Sequence, residues 1–155
     1  MKTQNWMGSD FSYEDLSKGD DIIEQYTHRD AGAGEVNGVK VTVIESTPKE
    51  NAPVVWGEET LKIADDHIVH EHEFFDQAGV LVKRLITKEV KEIGGKRYPT
   101  ILRMESLEKP GEWTEFHTTN AQFGIAISPS LFTQSNLSNP RARSECARCA
   151  RPCPG

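Results

Sequence analysis

Residues 56–123 read WGEETLKIADDHIVHEHEFFDQAGVLVKRLITKEVKEIGGKRYPTILRMESLEKPGEWTEFHTTNAQF. Five pieces of this stretch are rich in Val, Ile, Thr, Phe and Trp and read as strands: Glu59–Ala64, Ile68–Phe75, Val80–Ile93, Thr100–Leu107 and Glu112–Ala121. Between them lie Asp65-Asp66, Asp76-Gln77-Ala78-Gly79, Gly94-Gly95 and Lys109-Pro110-Gly111, residues that tolerate left-handed or proline-fixed backbone angles. Connections this short cannot carry a crossover helix, so the strands are expected to pair antiparallel as a meander.

Alternation then assigns faces. Ile68, His70, His72 and Phe74 share one face of their strand, and Val69, Glu71, Glu73 and Phe75 the other. Leu81 and Leu85 oppose Val80, Val82 and Ile86, so part of the sheet is apolar on both faces and needs two coverings, such as a helix layer and a ligand or partner.

Upstream, Ser12 and Asp15 have capping-box spacing and predict a helical turn over Tyr13–Leu16, stopped by Lys18-Gly19-Asp20. Asp21–Arg29 and Val36–Thr47 read as strands, the second with Val39, Val41 and Val43 on one face, and Ala31-Gly32-Ala33-Gly34 as their hairpin loop. That glycine loop is followed by no helix start and no Lys-Ser/Thr pair, which argues against a phosphate cradle. Pro48–Pro53 reads as a loop, and Val54-Val55-Trp56 as the start of the meander. Downstream, Ile125–Ser128 reads as a short strand, and Pro129 as the first residue of a helix to about Leu137, capped by Ser128 and packed through Leu131 and Phe132. Ser138–Gly155 reads as a disordered tail behind a domain spanning 1–137.

The chain has 155 residues, 36% hydrophobic and 27% charged, which suits one domain with a thin core. Up to Leu137 there are 14 Lys and Arg against 23 Asp and Glu, while the tail holds four Arg and one Glu. An acidic body argues against nucleic-acid binding and against docking on anionic lipid headgroups. No apolar run is long enough for a transmembrane segment, and Met1-Lys2-Thr3-Gln4-Asn5 does not open like a signal peptide.

Covalent chemistry finds little footing. Cys146, Cys149 and Cys153 are closely spaced but lack a fourth ligand, and the neighbouring arginines favour thiolate reactivity over a defined metal. His70 and His72, with His67 nearby and His117 on another strand, have a spacing that can bind metal, but a polar strand face is the better account of them. There is no Gly-x-Ser-x-Gly elbow and no carboxylate pair in a motif of its own. No cofactor is expected.

Five pieces, in order, carry a resemblance: Trp6-Met7-Gly8-Ser9-Asp10-Phe11-Ser12-Tyr13-Glu14-Asp15-Leu16, Phe74–Lys83, Tyr98–Leu107, Pro110–Glu115 and Leu131–Leu137. Together they resemble the C-terminal part of a LolA-like outer-membrane lipoprotein-sorting protein, over about Trp6 to Leu137. The resemblance implies a mainly β (α+β) fold, a curved antiparallel sheet forming an incomplete LolA/LolB-like β-barrel with short covering helices. It implies a periplasmic carrier that holds the acyl chains of lipoproteins or other lipids in an apolar groove and hands them on without covalent chemistry. Trp56, Phe74, Leu102, Met104, Trp113 and Phe116 are the candidate lining, joined by Trp6, Met7 and Phe11 from the matching N-terminal motif; packing of the same residues as ordinary core is the competing account. The resemblance also implies an RND-type inner-membrane transporter as a partner. Because the family is exported and its domain begins with further elements, an upstream piece is expected to be missing here. The alternative function is a non-carrier protein-interaction module, accessory to an inner-membrane transporter, that docks a partner by strand addition; a metal-dependent enzyme using His70, His72 and His117 stands third.

Overall fold

A computed structural model describes residues 4–13, 15, 21–126 and 129–135. Seven strands follow in order: β1 (Tyr26–Val36), β2 (Val39–Pro48), β3 (Glu58–Ala64), β4 (Val69–Phe75), β5 (Leu81–Ile93), β6 (Lys96–Ser106) and β7 (Trp113–His117). They form one sheet whose spatial order is the chain order, every neighbour antiparallel. The fold is thus an open antiparallel sheet with few helices. No helix among the described residues is long and apolar enough to cross a membrane. The chain divides into two units, Met1–Gln122 and Phe123–Gly155, and all seven strands lie in the first.

The turns follow from their residues. Asp76 Oδ1 accepts the N–H groups of Ala78 and Val80 at 2.8 and 2.9 Å, closing the β4–β5 turn, while Gly94-Gly95 makes the two-residue β5–β6 loop with both φ angles positive.

The N-terminal third corrects several expectations. Asp21–Gln25 is a helical turn rather than strand, and β1 begins at Tyr26. Ala31–Gly34 is not the hairpin loop; it lies inside β1, where Ala31 is the extra residue of a bulge between Asp30 and Gly32. The turn falls instead at Asn37-Gly38, with φ of 50° and 80°, a pair suited to a two-residue hairpin of type I′. Val36–Thr47 is therefore split between two strands. Val54–Trp56 precede β3 as irregular chain, and β7 stops at His117 rather than Ala121. Ile125 and Ala126 are not in a strand, while Ile127 and Ser128 lie outside the described residues. Pro129–Phe132 form a 3₁₀ turn on which Phe132 is exposed instead of packed. Leu16, Asn136, Leu137 and the tail with Cys146, Cys149 and Cys153 lie outside the described residues.

Register separates the faces. Ile44, Leu61, His72, Leu85, Met104 and Thr114 pair in succession across β2–β7, as do Ser46, Glu59, Phe74 and Lys83 across β2–β5, so these two rows share one face. The opposite face carries Lys62, Glu71, Ile86, Arg103 and Glu115 in one row and Thr60, Glu73, Arg84, Glu105 and Trp113 in the next. Its charges are paired: Lys62 with Glu71 and Glu73, Arg84 with Glu73, Arg103 with Glu115. Burial pulls the Lys62 ammonium down, yet its hydrogen bond to Glu71 and the charge of Glu73 together hold it above its ordinary value. Apolar packing occurs on both faces, as the pattern implies: Val36, Val41 and Ala64 cluster near the β1–β3 end, and a larger cluster forms under the N-terminal segment.

Candidate functional site

The larger cluster is built by Phe11, Trp56, Phe74, Val82 and Met104, with Val55 and Leu85 packed against it. Phe74 and Met104 come from the first face by alternation. Val82 joins them because β5 is bulged where Phe74 pairs Lys83 and Phe75 pairs Leu81. The Trp56 and Phe74 rings lie 5.5 Å apart.

Phe11 is delivered by a small hairpin. Trp6 N–H donates to the Phe11 carbonyl at 2.6 Å, Tyr13 N–H donates to the Gln4 carbonyl at 3.1 Å, and a 3₁₀ turn over Trp6–Gly8 reverses the chain. Two polar contacts tie the hairpin to the sheet. Asp10 N–H donates to Thr114 Oγ1 at 3.1 Å, and that hydroxyl donates back to Asp10 Oδ2 at 2.6 Å. Lys83 Nζ donates to Asp15 Oδ2 at 3.2 Å, the oxygen that also accepts Ser12 N–H at 2.7 Å. Asp15 N–H returns a bond to Ser12 Oγ at 3.3 Å, completing the capping box.

Beside this cluster opens a cleft of about 510 Å³, bordered by Trp56, Val55, Val82, Lys83, Ser12 and the Asp76–Ala78 turn. Its volume lies within the roughly 300–1,000 Å³ of small-molecule sites. The Lys83 ammonium sits 5.6 Å from the centre of the Trp56 ring.

The candidate lining residues separate into groups. Phe11, Trp56, Phe74 and Met104 come together in the buried cluster. Leu102 and Phe116 pair with each other on the same face, and Phe116 meets Phe11 edge to face at 6.4 Å. Trp6 is half-buried and Met7 is 83% exposed at the hairpin tip. Trp113 lies on the opposite face, half exposed under the Arg103 guanidinium at 4.2 Å, because it is Thr114 that pairs with Met104.

The histidines do not converge. His72 Nε2 meets Glu59 Oε2 at 2.7 Å, with the Glu59 side chain fully buried. His70 is buried and its Nε2 has no partner, whereas His117 stands on the charged face against Glu115 at 3.0 Å, which together with Arg103 holds the Glu115 carboxyl below its ordinary range. Among the described residues no three His, Cys, Asp or Glu side chains are grouped to hold a metal. Sequence reasoning missed Lys83, Asp15 and the Glu59–His72 pair. Asp15 entered it only as a cap, and the others depend on cross-strand register.

A family model described as "Uncharacterized protein" matches residues 1–139. No curated protein matches the chain. Among solved structures it is similar to a DUF1329 family protein from Desulfovibrio piger, with 26% identity, a TM-score of 0.78, and 88% of this chain and 56% of that one covered. It is similar to a provisionally assigned outer membrane lipoprotein-sorting protein domain from Vibrio parahaemolyticus, with 26% identity, a TM-score of 0.73, and 88% and 57% covered. A LolA superfamily protein from Nitrosomonas europaea shares the fold at 17% identity and a TM-score of 0.68, with 87% and 60% covered. The chain therefore spans less than two thirds of each of these three proteins, and its sheet is the open, curved sheet of LolA-like structures.

Proposed function

The chain belongs to the family of uncharacterized proteins whose model covers its residues 1–139, and from that membership and its LolA-like fold we propose that it is a carrier for acyl chains of lipoproteins or other lipids. The observation that carries this reading is the aromatic cluster of Phe11, Trp56, Phe74 and Met104 with an open cleft at its Trp56 edge. An acyl chain entering there gains about 0.8 kcal/mol per buried methylene, without a directional bond and without a covalent step. By resemblance the carrier works in the periplasm with an RND-type inner-membrane transporter as a partner, and residues 1–137 form the carrier domain.

Titration of the purified chain with a fluorescent fatty-acyl probe, read by energy transfer from Trp56, tests this. Saturation at a small whole number of probes per chain, competed by unlabelled lipid, is expected. Absence of saturable binding by a cooperatively folded chain would turn us to the second reading, docking of a protein partner by strand addition. That alternative is favoured by the outer edges of β1 and β7, neither of which pairs with a further strand among the described residues. It predicts a partner captured in the absence of lipid.

A further inference from the structure

Three buried side-chain atoms among the described residues have no hydrogen-bond partner: Asp15 Oδ1, Trp56 Nε1 and His70 Nε2. Native interiors rarely leave such atoms unpaired. Two of the three belong to the same place, since Trp56 borders the cleft and Asp15 is bound to Lys83, which also borders it. Lys83 is the only cationic side chain among the described lining residues.

The N-terminal segment makes two contacts here. Phe11 puts a phenyl ring into the apolar cluster, and Asp15, four residues later, puts a carboxylate on Lys83. An apolar body followed by a carboxylate is also the layout of a fatty acid. The segment fits this role incompletely: Asp15 presents one oxygen to both Lys83 and Ser12 N–H and leaves the other unpaired, while the ammonium carries three donors. Of the acidic groups on the rim, Asp76 has an oxygen engaged by the N–H groups of its own turn and Glu108 is exposed. Their charges disfavour a polyanionic head but leave room for a monoanion beside Lys83.

We infer that the cleft takes a single-chain amphiphile with a carboxylate head, its head on Lys83 and its chain against Trp56 and Val82, and that Phe11 and Asp15 hold the same places as an internal mimic until ligand displaces them. This rests on the carrier reading above and adds the ligand's head group to it.

Isothermal titration of the full chain with laurate below its micelle concentration and with dodecanol below its solubility limit, at low salt, separates the two ideas. Laurate is expected to bind about tenfold tighter, the increment of one charge-assisted hydrogen bond. Lys83→Met, which keeps the stem, should bring the ratio to about one by removing the laurate advantage. Asp15→Asn should tighten laurate by removing its competitor. Equal binding of both by the unmutated chain, or a ratio preserved in Lys83→Met, overturns the head-group assignment and leaves the carrier standing. Binding of neither removes both. Should Lys83→Met lose its thermal transition, the unmutated chain decides through salt: the laurate preference must shrink as salt screens the ammonium, and a salt-independent ratio sinks the assignment.

Discussion

Glu59 is a carboxylate with no exposed side-chain surface, set on the face that also carries Phe74, Leu85 and Met104. Such a group is tolerated only with good partners, and His72 Nε2 at 2.7 Å is one, its ring held against Phe74 with centroids 4.1 Å apart. His72→Leu keeps the apolar contact but removes that partner, so urea unfolding should show a loss of about 3 kcal/mol or more. A loss below about 1 kcal/mol would mean that the imidazole does not support the carboxylate. The histidines were visible in the sequence as a same-face pair, but Glu59 was not, because its approach to His72 is diagonal across β3 and β4, with Glu59 opposite Phe74 and Leu61 opposite His72. Trp113 teaches the same point: whether it or Thr114 faces Met104 depends on how many residues the β6–β7 turn consumes, and hydropathy is silent on that.

Between elements, the decisive positions are those where backbone meets backbone. Gly57 leads into β3 and its N–H donates to the Phe75 carbonyl at 2.9 Å. A methyl group there would sit 2.3 Å from the Asp76 carbonyl oxygen and 2.8 Å from Gln77 Cα, neither of which can swing away as a side chain does. Gly57→Ala should therefore displace the β4–β5 turn and cost about 1–3 kcal/mol in chemical denaturation; an unchanged midpoint would show that the turn yields freely. The meander was legible in the sequence because turn residues and β-rich segments alternate clearly from Glu58 to His117. β1 was not, because its Ala-Gly run looks like a loop until the bulge at Ala31 absorbs it, and the Asn37-Gly38 signal is outweighed by the valine alternation that follows it.

At the scale of the molecule, the acidic balance of the chain and the paired charges of one face leave the other face as the one that carries the aromatic cluster and the cleft. Resemblance supplied the fold here, since periodicity alone yields a meander without saying whether it closes, curves or stays open. The strand order has a mechanical consequence. Because β1 and β7 are opposite edges and each strand is hydrogen-bonded only to its chain neighbours, tension applied between Tyr26 and His117 is expected to load the ladder hydrogen bonds a few at a time from the rims. Single-molecule pulling should record a run of small steps, hairpin by hairpin, and one large rupture would mean that the buried cluster locks the strands together. On this expectation the sheet opens under a steady pull as a seam does, from its ends inward.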